Sequence, residues 1–141
     1  PGLRAGKALL TLGQSPSEHG VNDNSGNVPF PEGATTLPQA FRDAGYQAQA
    51  VGKLHVKPRR SRIGFDEVLL DEEGRAKPDD YDIFLGDHGH PGKRFAGGMC
   101  NNDYCWRPWH LDEDLHVTNW ATQQMGRQIR RRDPDKPAFW Y

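Results

Sequence analysis

An α/β fold is predicted for this chain, and three observations carry the prediction. Residues 36–45 read as a short amphipathic helix, residues 46–55 follow as a strand, and a second helix opening near Thr118 leads past Asp133-Pro134 to an aromatic strand at 137–141. Helix followed by strand, twice over, is the rhythm of a sheet covered by helices. Between the two units, residues 58–114 are dense in Gly, Pro, Asp and Arg, with apolar islands only at Phe65 to Leu70 and Tyr81 to Leu85. They are read as a long, irregular excursion within one domain.

Each element has its own signal. Thr36, Leu37, Pro38 and Gln39 form a capping-box pattern with proline early in the first turn, Leu37, Phe41 and Ala44 recur at helical spacing, and Gly45 ends the helix. Tyr46 to Val51 then alternates polar and less polar residues and runs into Gly52-Lys53-Leu54-His55, where Gly52 allows the backbone a close approach. Thr118 is a suitable N-cap for the second helix, which shows Ala121, Met125 and Ile129 at i, i+4 and i+8. Arg127, Arg130, Arg131 and Arg132 fall at its end, where cations complement the helix dipole. No internal repeat is present.

The 141 residues equal one ordinary domain in size, but only 35% are hydrophobic, mean hydropathy is -0.87, and 16 Gly with 11 Pro make the chain rich in turns. A formal net charge of -1 gives no global field to draw in nucleic acid or an anionic membrane, so a small anionic ligand needs a local pocket. No apolar run approaches the roughly 20 residues of a membrane span. The start, Pro1-Gly2-Leu3-Arg4, has neither an initiator Met nor an apolar signal stretch, and localisation is not readable. The apolar start and the Pro137 to Tyr141 ending read as cuts at both ends, so residues 1–141 are expected to be part of a larger domain that folds poorly alone.

Several residues suggest chemistry. Lys53 and His55 lie two apart on the predicted strand and leave the same face, while Leu54 and Val56 face the other way. An ammonium and an imidazole at the carboxyl end of a strand suit a tetrahedral oxyanion and the charge growing on a leaving oxygen. A solvated edge strand explains the same alternation, which Lys57 continues. Asp87-His88-Gly89-His90, with Cys100 and Cys105 beyond, collects metal-capable groups, but the flanking Gly and Pro favour a loop. The spacing of Cys100 and Cys105 suits a local disulfide or two plain thiols better than zinc. Trp106, Trp109 and Trp120 with His110 and His116 line a pocket or form the core of a polar segment.

Taken in order, these residues resemble the sulfatase family of the alkaline-phosphatase-like superfamily. Leu9 to Val21 is similar to that family's "LLTG, then a Pro, then HGV" segment, Thr36 to Tyr46 to its helix, Gly52-Lys53-Leu54-His55 to its "GKWH" strand, and Gly64-Phe65-Asp66 to its "GFD". His116 to Trp120 and Asp135 to Tyr141 resemble the helix and strand leading to a later histidine. The resemblance implies a mixed sheet flanked by helices, a calcium ion, and a formylglycine made from Cys or Ser within C/S-x-P-x-R. It implies that Lys53 and His55 contact the sulfate and help its departure and that Arg4 is the remnant of the nucleophile signature; composition alone places Trp106, Trp109, His110 and His116 near the substrate rim, with His116 in the substrate-binding set. Leu54 stands where Trp is usual, and Pro1 and Arg4 are one residue too far apart for the signature. The nucleophile and the calcium ligands would lie outside the chain.

The activity so implied is hydrolysis of a small-molecule or carbohydrate sulfate ester, with no nucleic-acid or membrane partner. A phosphonate or phosphodiester hydrolase of the same superfamily is the nearer alternative, which the Gly-Lys-x-His segment disfavours. A non-catalytic binding domain is the alternative from another class, motivated by the disturbed Pro1 to Gly13 segment.

Overall fold

The structure is a computed structural model, and it describes residues 3–20, 33–73, 78–95 and 104–141. Along them run α1 (Leu3–Leu12), α2 (Pro16–His19), α3 (Leu37–Asp43), β1 (Gln47–Gly52), β2 (Glu67–Leu70), α4 (Asp80–Asp87), a 3-10 turn (Glu113–Leu115), α5 (Val117–Arg131) and β3 (Ala138–Trp140). The strands form one sheet in the order β2-β1-β3, with Ala50 opposite Val68 and Ala48 opposite Phe139. Both pairings are parallel, so each return between strands must cross over a face of the sheet. The fold is α/β.

Alternation along the central strand divides the core into two layers. On one side Ala48 and Ala50 pack with Leu54, Val56, Phe65 and Leu70, joined by Phe139 and Tyr141. Phe41 of α3 stacks on Phe139 at 4.5 Å between ring centroids. On the other side Val51 and Leu69 meet Tyr81 and Leu85 of α4 and Trp120 of α5. Trp120 is therefore core, which resolves its two sequence readings.

The start of α3 is fixed by contacts that only the fold provides. Thr36 Oγ1 accepts from the Gln39 N–H at 3.3 Å, as its capping pattern predicts, and donates to the Ile63 carbonyl at 2.5 Å. Asp66 accepts from the Ala48 N–H at 2.8 Å and pairs with Arg42 at 2.8 Å. The Gly64-Phe65-Asp66 segment thus clamps α3 to β1.

Three boundaries differ from the sequence reading. The helix expected from Thr118 begins at Val117 and is capped by His116, whose Nδ1 accepts from the Thr118 N–H at 3.2 Å. The ring nitrogen does the work of the usual hydroxyl. The strand expected to reach His55 ends at Gly52, where φ is 115°. Apart from its chain neighbours, no atom of the described residues stands within 4 Å of where a Gly52 Cβ would sit, so this glycine serves backbone conformation rather than close approach. The stretch 58–114, read as irregular, contains β2 and α4. β2 is a four-residue strand with apolar residues turned to both layers, and such a strand shows no alternation.

At Gly64, φ is 99° and a Cβ would come within 2.6 Å of both the Gln39 nitrogen and Thr36 Oγ1. Gly64→Ala is expected to destabilise the full-length protein by on the order of 2–4 kcal/mol, combining backbone strain with overpacking. Chemical denaturation measures this, and an unchanged midpoint would remove Gly64 from the clamp.

Candidate active site

The chain leaves β1 in a conformation that sorts its side chains. Leu54 and Val56 are each 3% exposed and continue the layer begun by Ala48 and Ala50, while Lys53 and His55 between them are half-buried. The parity of a strand persists past its last ladder bond. It is bent, however, at His55, whose φ of 58° places a side-chain-bearing residue in the left-handed region. That conformation costs roughly 1–2 kcal/mol unless its surroundings fix it.

A buried carboxylate does so. Glu72, 4% exposed, accepts from the Leu54 N–H at 3.0 Å and the His55 N–H at 2.5 Å through the same Oε1. Glu72 is itself held by its backbone, whose N–H donates to Asp79 Oδ2 at 2.7 Å. Asp79, 1% exposed, is the N-cap of α4 and accepts from the Asp82 N–H at 3.0 Å. Arg94 then binds Asp79, Asp71 and Asp82 together, the last at 2.8 Å, and lies 4.9 Å from the centre of the Tyr81 ring.

The electrostatics follow from this burial. Burial alone would lower the Arg94 guanidinium, but its hydrogen bonds to Asp82 and Asp71 and the charges of Asp71 and Asp79 leave it above its ordinary value. Burial pushes the Tyr81 phenol up to about 12, and its hydroxyl donates to the Leu115 carbonyl at 2.8 Å. Burial also pushes the Glu72 carboxyl up, opposed by the His55 and Leu54 N–H groups and then by the charge of Lys53.

Lys53 forms an ion pair with Glu73, and Glu73 lines a cavity of about 280 Å³ together with Asp71, Arg94, Arg107, Trp109 and His116. This cavity opens beyond the carboxyl end of β2, where ligands of open α/β sheets gather. Of the aromatic and histidine set singled out in the sequence, Trp109 and His116 meet edge to face at 5.0 Å on the cavity wall. Trp106 is 85% exposed, His110 is exposed, and neither lines the cavity. Arg94, Glu72 and Asp79 were not singled out from the sequence. A buried arginine among three aspartates has no fixed spacing to reveal it.

The other sequence candidates fall elsewhere. Arg4 lies on α1, and its side chain is outside the described residues. Asp87 ends α4, and His88 bonds back to the Phe84 carbonyl at 2.8 Å and packs on the Phe84 ring. Cys105 is an exposed thiol, and Cys100 lies outside the described residues. Among the described residues no three His, Cys, Asp or Glu side chains are grouped to hold a metal ion, because Asp71, Asp79 and Asp82 are all turned onto Arg94. They do not fit a calcium site. The arginines at the end of α5 are exposed, and Arg132 donates to the Ile129 carbonyl at 2.8 Å, closing the helix as the dipole argument expects.

Comparison with known proteins gives three findings. Residues 7–141 match the sequence profile of the family described as Sulfatase. The chain is 33% identical over 159 aligned positions to an arylsulfatase of Clostridium perfringens, covering 99% of this chain and 32% of the relative, and 28% identical over 114 positions to mouse arylsulfatase J, covering 75% and 17%. Its structure superposes on the crystal structure of a phosphonate monoester hydrolase from Agrobacterium radiobacter with a TM-score of 0.68 at 18% identity, over 97% of this chain and 30% of that one. The chain thus spans about a third or less of the length of the proteins it matches.

The raised Glu72 carboxyl has a consequence for stability. Between its ordinary value and the raised one the folded state holds more protons than the unfolded state, so this residue's contribution is present at acidic pH and lost as pH rises through that interval. In the full-length protein, the melting temperature of Glu72→Gln minus that of wild type should increase as pH rises from the acidic side to neutrality. A difference that stays flat or shrinks would contradict the burial of an ionisable group here.

Proposed function

Given that the chain belongs to the sulfatase family, we propose that in the complete protein it forms part of the catalytic domain of a sulfuric ester hydrolase and that Lys53 and His55 are its contacts to the sulfate group. The observation that carries this reading is their placement. Both follow the carboxyl end of β1, both alternate with the core residues Leu54 and Val56, and Lys53 pairs with a residue of the cavity wall.

The chemistry asks for such groups. A sulfate ester presents oxygens that bear charge throughout the reaction, and its bridging oxygen gains charge as the bond to sulfur breaks. An ammonium held in place by Glu73 still directs N–H donors at an anion, since it carries three of them. An imidazole two residues on supplies a proton to the leaving oxygen. His116 and Trp109 form the wall against which the organic part of the ester rests. Aryl sulfates are the probe of choice, since both relatives are arylsulfatases. The formylglycine nucleophile and the calcium ion that the resemblance implies are assigned to residues other than those described, and Arg4 remains the candidate remnant of the nucleophile signature.

In the full-length protein, Lys53→Ala should lower kcat for an aryl sulfate by about a hundred- to a thousand-fold with the protein still folded. His55→Ala should lower it comparably for esters of poor leaving groups and less for esters whose phenol leaves easily. Wild-type turnover by both variants would refute the assignment, and faster turnover of an aryl phosphonate than of the sulfate by the wild type would reassign the substrate. The 141-residue chain alone is expected to show no hydrolysis, and turnover by it would show that its own residues suffice.

A further inference from the structure

We propose that Glu72 is a positioning residue for the sulfate site, acting through the length of its side chain rather than through its charge. The inference rests on the catalytic reading of Lys53 and His55. Glu72 follows β2, yet its Oε1 reaches across to the segment leaving β1 and takes both the Leu54 and His55 N–H groups, at 3.0 and 2.5 Å. These are the two peptide groups that join Lys53 to Leu54 and Leu54 to His55. One acceptor therefore sets the relative orientation of the two side chains that must face the sulfate.

The constraint is needed because the local conformation does not maintain itself. Gly52 at φ 115° and His55 at φ 58° both depart from extended backbone, and the β1 ladder ends at Gly52. A short loop in this state has alternatives close in energy. Glu72 selects among them, and Glu72 is in turn immobilised through its own N–H by Asp79, which Arg94 grips. The chain of contacts runs from a buried arginine to the backbone beneath the reacting groups. A displacement of about 1 Å in such groups costs on the order of a hundred-fold in rate.

Two substitutions separate length from charge. Glu72→Gln keeps the acceptor oxygen at the same reach and removes the charge, whereas Glu72→Asp keeps the charge and withdraws the oxygen from both N–H groups. With the full-length protein and an aryl sulfate of a poor leaving group, Glu72→Asp is expected to lose roughly ten- to a hundred-fold in kcat, and Glu72→Gln to stay within about threefold of wild type. In a His55→Ala background, Glu72→Asp should cost less than it does alone, because only the placement of Lys53 is left to lose. Glu72→Asp with wild-type kcat, Glu72→Gln more damaged than Glu72→Asp, or the full Glu72→Asp loss recurring in the His55→Ala background would each overturn the proposal. If His55→Ala is slow and Glu72→Asp is not, Glu72 alone is misassigned. If both His55→Ala and Lys53→Ala turn over as wild type, the catalytic reading falls and takes this proposal with it.

Discussion

A single oxygen of Glu72 joins two segments that have no ladder bond between them at that point. β1 and β2 pair only as far as Gly52 and Leu70, and after the Asp71 N–H donates to the Gly52 carbonyl at 3.0 Å no further backbone bond joins the two segments among the described residues. Carboxylates take over. Glu72 receives the N–H groups of Leu54 and His55, Asp79 receives that of Glu72, and Asp80 receives that of Leu70 at 2.7 Å. Without these acceptors, buried N–H groups at the end of the sheet would stand unpaired, at a cost of about 1–3 kcal/mol each.

The same groups orient α4. Asp79 caps it and accepts from Glu72, so the helix begins where β2 releases the chain. Three aspartates around one position would repel one another, and Arg94 offsets that repulsion from a side chain only 8% exposed. A guanidinium suits the task because it presents several donors in one plane, which a lysine does not. The charge that stabilises this corner is thereby consumed by it. Lys53 is engaged separately, by Glu73 of the cavity wall.

The two core layers explain why the site lies where it does. Ala48, Ala50, Leu54 and Val56 commit one face of the β1 segment to the layer beneath α3, which forces Lys53 to the side of α4 and α5. On that side Trp120 and Leu85 fill the space behind, and the cavity remains in front of Tyr81, Trp109 and His116. Packing on one side of a strand thus decides polarity on the other.

How much of this could be read from residues alone depends on the range of each interaction. The Thr36 cap, the helix ending before Gly45, the strand after it and the parity of Lys53 against Leu54 are local, and local spacing determined them. The ordered set of segments from Leu9 to Tyr141 was enough to identify the family. The tertiary structure decided what spacing cannot encode. Glu72 lies 17 residues from His55, and Arg94 lies 15 from Asp79 and 23 from Asp71, so no periodicity links them. Two-sided burial hid β2, a ring nitrogen replaced the hydroxyl expected at the start of α5, and the left-handed turn at His55 is held by an acceptor that follows another strand. Sequence fixes what a residue does to its neighbours in the chain, while the pairing of buried charges and the conformations they sustain exist only once the sheet has brought distant segments together.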